Sequence, residues 1–164
     1  MESIVVFSDK GLKNLDALFG SRRYVKVGVL AGQKNQRDDN TQNNATIGAV
    51  HEFGSITKKI PKRSFIRNPL TGMSNREEVF QKAVSGFNYG MESGNFVSFW
   101  DALGSSLVEK ILDAFDQSGP GWAPLAESTI AARKRRHSRK GGGEKPLIDT
   151  GQLRRSISYK VVSE

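Results

Sequence analysis

The chain has 164 residues, with 25 Lys and Arg against 17 Asp and Glu, a formal charge of +8 and 37% hydrophobic residues, which supports one ordinary domain with a modest core. No run approaches the roughly 18 consecutive apolar residues of a membrane span, and Met1-Glu2-Ser3-Ile4 lacks the basic-then-apolar pattern of a secretory signal. Cys is absent, which excludes disulfides, thiolate metal sites and thiol nucleophiles.

This is the composition of a soluble, intracellularly made α+β protein. Residues 1–164 read as a single domain: a small, mostly antiparallel sheet against one long and several short helices, with extended loops or arms. Ile4-Val5-Val6-Phe7 reads as a short strand. Ser8 and Asp9 are placed to cap a helix bearing Leu12, Leu15, Leu18 and Phe19, which Gly20 stops. Val25, Val27 and Val29 then alternate with Tyr24, Lys26 and Gly28, the pattern of a half-buried strand. Residues 32–44 carry no large apolar side chain and read as a mobile polar loop.

A short helix is expected from Ala45 to Phe53, ended by Gly54, with Phe53 anchoring the turn in the core. Ile56 to Arg67 reads as extended around Pro61. Ser74 and Glu77 form a capping-box pattern before a helix whose face is Val79, Phe80, Ala83, Val84 and Phe87, and Asn88 to Asn95 is expected to break it. The strongest periodicity follows, with Phe96, Trp100, Leu103, Leu107, Ile111 and Phe115 on one stripe. About 22 residues give about 33 Å of helix, and burying six large side chains contributes on the order of 9–18 kcal/mol before entropy. Trp122, Leu125 and Ile130 seed another helix, with Pro124 near its first turn, that runs into the basic segment and a Gly-rich tether at 141–143. Leu147 to Gly151 reads as a turn in which Asp149 or Thr150 caps a short helix bearing Leu153. Ile157, Tyr159 and Val161 mark a last strand.

Charge is concentrated rather than spread. Arg133, Lys134, Arg135, Arg136, Arg139 and Lys140 hold six of the eight net positive charges, which leaves the other 156 residues near neutral. Segment 133–146 is thus a basic, Gly-rich stretch. Three readings stay open for it: sequence-independent contact with nucleic-acid phosphates, contact with an acidic protein, and plain solvation. No aromatic residue interleaves the cations, which disfavours stacking on single-stranded bases.

Patterns that carry chemistry are incomplete. His51-Glu52 begins like a zinc-protease helix, but position 55 is Ser where the second His belongs. Asp38-Asp39-Asn40 lacks the alternating spacing and terminal Glu of a calcium loop. Gly141 to Pro146 has Pro where a P-loop needs Ser or Thr, and no Gly-x-Ser-x-Gly elbow occurs. The sequence therefore nominates no catalytic, metal or cofactor residue, and an enzyme is not expected.

Four segments together carry a resemblance. They are Val25–Leu30 with Ile47–Gly54, then Ile60–Arg67, then Trp122–Thr129, and last Leu147–Ile157. In this order the chain resembles the virion-morphogenesis and minor tail proteins of long-tailed bacteriophages over residues 24–161. The resemblance implies a structural protein completing the head-proximal end of the tail and joining it to the head, as a ring of six subunits. The partners it implies are other copies, the tail tube or tail terminator, the head–tail connector, and DNA in the channel, with no membrane. The implied location is the tail or neck of the virion, after synthesis in the host cytoplasm. A head-closure or connector protein and a sequence-independent nucleic-acid-binding protein are the alternatives.

Residues fall into three expected roles. The basic segment is the expected contact with DNA or a partner. Ile60, Pro61, Arg63, Phe65 and Ile66 are the subunit-contact candidates. Phe53, Gly54, Trp122, Thr150, Gly151 and Leu153 are motif residues expected to shape the fold.

Overall fold

The apolar stripe beginning at Phe96 builds the element around which the rest is arranged. The computed structural model describes residues 9–20, 22–30, 43–119, 121–136 and 143–164. The strand expected at Ile4–Phe7, most of the polar loop, the glycines at 141 and 142, Arg139 and Lys140 lie outside the described residues. In chain order the described elements are α1 (Asp9–Phe19), β1 (Arg23–Val29), α2 (Asn44–Phe53), α3 (Arg67–Thr71) and α4 (Met73–Ser93). There follow α5 (Val97–Asp116), α6 (Glu127–Arg136), α7 (Gln152–Arg155) and β2 (Ile157–Ser163). The fold is α+β, and its small sheet is antiparallel.

β1 and β2 pair from Arg23 opposite Ser163 to Val29 opposite Ile157. This register sets Val25, Val27 and Val29 across from Val161, Tyr159 and Ile157, so the apolar cross-strand pairs share one face. α5 lies on that face. A Cβ at Gly104 would stand 2.2 Å from the Tyr159 ring, so the missing side chain lets helix and sheet approach. Ile111, Phe115, Ile157, Phe65, Leu147 and Leu153 form the main core. Within it Phe65 and Phe115 meet edge to face at 5.3 Å, and Trp122 meets Phe115 at 5.9 Å.

Where one long helix was expected, two of nearly equal length pack as an antiparallel pair, 21 residues in α4 and 20 in α5. Asn88 to Asn95 does not break α4 until its end, because Gly86 and Gly90 of this helix serve packing. A Cβ at Gly86 would lie 2.7 Å from the Phe99 backbone, and one at Gly90 would lie 2.3 Å from the Phe96 ring. Only Gly94, left-handed at φ 77°, ends the helix, donating its N–H to the Gly90 carbonyl. The start also differs from expectation. Gly72 occupies the N-cap without a side-chain hydrogen bond, so Ser74 already lies inside the helix.

Ion pairs lace the outer seam of this helix pair. Lys82 bonds Glu109 at 2.7 Å and Glu78 at 3.3 Å, and Lys110 bonds Glu78. Lys82, Glu78 and Glu109 are exposed, so solvent screens these pairs, and only Lys110 is largely covered. α1 attaches to α4 through Asn14, whose Nδ2 donates to the Met91 carbonyl at 2.6 Å.

Three further departures from the sequence reading concern connections. Ile56 to Lys59 forms a tight turn closed by the Ser55–Ile60 bridge, and the extended course is confined to the residues between that turn and α3. Trp122 and Leu125 precede α6 instead of lying in it, for Pro124 disfavours helix at Ala123. Gly151, at φ 76°, occupies the N-cap of α7, the position expected for Asp149 or Thr150.

Candidate functional site

α2 begins where the Asn43 carboxamide oxygen accepts the Thr46 N–H at 2.7 Å. Eight and nine residues later it delivers His51 and Glu52 to the molecule's interior. Glu52 is 6% exposed. One carboxylate oxygen accepts the Ser64 hydroxyl at 2.6 Å and the Arg67 N–H at 3.1 Å. The other accepts the N–H groups of Phe65 at 2.8 Å and Ile66 at 2.9 Å. Burial pushes the carboxyl pKa up, and the bonds from Ser64, Ile66, Arg67 and Phe65 together outweigh it, holding the group below the ordinary carboxylate range. Glu52 thus clamps the turn into α3 onto the end of α2. Gly54, at φ 80°, then turns the chain away.

Arg63 leaves the same extended segment and is 4% exposed. Its Nε and Nη2 donate to the Ala123 and Pro124 carbonyls at 2.8 and 2.9 Å. Trp122 donates its indole N–H to the Ser64 carbonyl at 3.3 Å. These bonds hold the Trp122–Pro124 stretch against residues 63–64. Arg133, on α6 and 8% exposed, performs the matching task for the next segment. Its Nη1 donates to the carbonyls of Gly143, Lys145 and Ile148 at 3.2, 2.9 and 2.8 Å, and its Nε lies 3.8 Å from an Asp149 carboxylate oxygen.

The result is a convergence. The segments at 51–54, 60–67, 122–129 and 147–153, distant in sequence, meet around one groove of about 640 Å³. Ile60, Pro61, Leu125 and Leu147 give it apolar walls, and Lys58 and Lys59 stand exposed at its margin. His51 faces it as well. The His51 Nδ1 is buried and has no hydrogen-bond partner among the described residues. Burial first, and then the charges of Arg63 and Arg133, hold the imidazole pKa below its ordinary value. The groove is therefore electropositive and partly apolar.

The expected site residues divide accordingly. Phe65 is fully buried and Arg63 nearly so, which places both in the chain's own interior and withdraws them as expected subunit contacts. Ile66 is half-buried and packs on the core, while Ile60 and Pro61 stay accessible. Leu153 is buried and Trp122 packs against the core, Gly54 and Gly151 turn the chain at positive φ, and Thr150 receives the Arg155 guanidinium on its carbonyl at 3.1 Å. Phe53 does not anchor the core. It is 63% exposed, with the Arg67 guanidinium over its ring at 5.5 Å.

Within the basic segment, Arg133 is a buried internal pin and is corrected from an outward contact. Lys134 and Arg135 are exposed on α6, with Lys134 3.2 Å from Glu144. Arg136 ends the helix, and Arg139 and Lys140 lie outside the described residues.

Sequence reasoning missed Glu52, Lys58 and Lys59. The only signal for Glu52 was a carboxylate in an otherwise apolar helix. Nothing local announces a partner 12 residues away at Ser64. Among the described residues no three His, Asp or Glu side chains gather as a metal site, and no helix is long and apolar enough to cross a membrane. Comparison with protein-family models, curated proteins and solved structures gives no match.

Proposed function

We propose that this chain is a structural virion protein of a long-tailed bacteriophage, a subunit of the ring that completes the head-proximal end of the tail and joins it to the head. The observation that carries the proposal is the convergence at the groove. The segments that bear the resemblance are the ones that Glu52, Arg63 and Arg133 bolt together, so their order reflects one built unit.

Surface chemistry supports assembly. Ile56, at the tip of the Ser55–Ile60 turn, is 99% exposed, and Phe53 and Phe80 are 63% and 60% exposed. Phe53 and Ile56 lie at the end of α2 and in the turn after it, and Phe80 lies on α4. Joining one such patch to a different patch on the next copy is a heterologous contact, which closes into a ring when the rotation fits. The protein acts by affinity for its neighbours.

Particles made with and without the protein test this by electron microscopy. Tails that form but fail to join heads in its absence are expected. Normal head attachment without it would overturn the proposal.

A further inference from the structure

Arg63 is the starting point. A guanidinium that is 4% exposed has lost most of its water, yet its hydrogen-bond partners are two neutral carbonyls. A buried cation matched only by dipoles carries uncompensated charge. Arg133 adds a second charge near enough to lower the Arg63 pKa further, after the effect of burial itself. The His51 Nδ1 adds a buried polar atom without a partner among the described residues. Lys58 and Lys59 add two exposed ammonium groups at the rim. All of them face a groove whose walls are in part apolar.

We infer that this groove docks an extended segment of a partner protein in which carboxylate side chains alternate with apolar ones. An extended chain points alternate side chains to opposite sides. Its carboxylates therefore face His51 and the Lys58–Lys59 rim while its apolar side chains lie on Ile60, Pro61, Leu125 and Leu147. Nucleic acid fits less well. Non-specific phosphate binding draws on exposed cations that follow the backbone, whereas Arg63 and Arg133 are buried and the exposed cations lining this groove are confined to the Lys58–Lys59 rim. A carboxylate beside His51 favours the protonated imidazole, so docking takes up a proton there. This inference rests on the groove's own geometry and stands apart from the ring.

The test uses the purified full chain and three probes. These are a fluorescent nine-residue peptide alternating Glu with Val and Leu, the same peptide with Gln for Glu, and a 20-base-pair DNA duplex. The Glu peptide is expected to saturate with a Kd on the order of 10–100 μM, and the Gln peptide to bind at least tenfold more weakly. On binding the Glu peptide, the His51 ring resonances move toward the protonated form. Lys58→Glu, an exposed change that leaves the melting temperature in place, weakens the Glu peptide at least fivefold. Failure of the Glu peptide to bind, equal binding of the two peptides, or displacement of the Glu peptide by duplex at equal concentration would each overturn the inference. No particle is needed, so this result and the fate of the tails are independent.

Discussion

Glu52 gathers four donors on one carboxylate, and replacing it exposes what they cost when unmet. Glu52→Ala leaves buried N–H groups without acceptors, and a loss of about 3–5 kcal/mol is expected in chemical denaturation. A change below about 1 kcal/mol would show that the clamp is incidental. Arg133 and Lys134 make a paired test on one helix. Arg133→Ala removes the pin of the 143–148 segment and should cost about 2–4 kcal/mol, whereas exposed Lys134→Ala should stay within about 0.5 kcal/mol. Equal effects would contradict the assignment of Arg133 to the interior.

Acid stability follows from the two lowered groups. His51, facing Arg63 and Arg133, has a folded pKa below its unfolded value of about 6.5, so the unfolded chain takes the proton first. Its stabilisation is present above about pH 6.5 and is lost as pH falls through the folded pKa. Glu52 also lies below its unfolded value, and its contribution is lost at lower pH, below about 4.3. Denaturation midpoints should therefore fall in two stages on acidification, and His51→Gln should remove the first. None of this was legible in the sequence. A cluster of six cations in eight positions gives no sign of which one turns inward, because that depends on carbonyls presented by residues 143–148.

At the scale of elements, the periodic segments were the readable ones. The stripe from Phe96 to Phe115 and the alternating valines of β1 each bury one face, and a period of 3.6 or 2 records that directly. The α4 glycines misled for a physical reason. Gly is both a helix breaker and the residue that lets two helices touch, and sequence does not separate these uses until the Phe96 and Phe99 partners are in place. Gly90→Ala distinguishes them. Intrinsic propensity favours Ala by about 1 kcal/mol in a helix, but overpacking against Phe96 should reverse the sign to a net loss of about 1–3 kcal/mol. A rise in thermal midpoint would mean that α4 and α5 do not approach as closely as described. The connection around Pro61 was legible as non-helical, whereas the one around Pro124 read as the first turn of a helix and is not. Their mutual fastening through Arg63 was not legible, since it spans 60 residues.

For the whole molecule, a charge of +8 resolves into a seam of paired ions on α4 and α5, two buried guanidinium groups and a basic α6. Exposed apolar side chains remain at the Ser55–Ile60 turn and on α4. If the turn is a subunit contact, Ile56→Asp leaves folding stability within about 0.5 kcal/mol while lowering the yield of joined particles. Unchanged yield would remove the turn from the interface. The architecture was legible as α+β because both strands and the central helix announce themselves. The groove was not, because it exists only once four segments have been brought together. The most direct measurement is the protein's position and copy number in intact particles by electron cryomicroscopy. A tail-completion subunit is expected as one ring of six copies between tail tube and connector, and its absence from infectious particles would contradict that role.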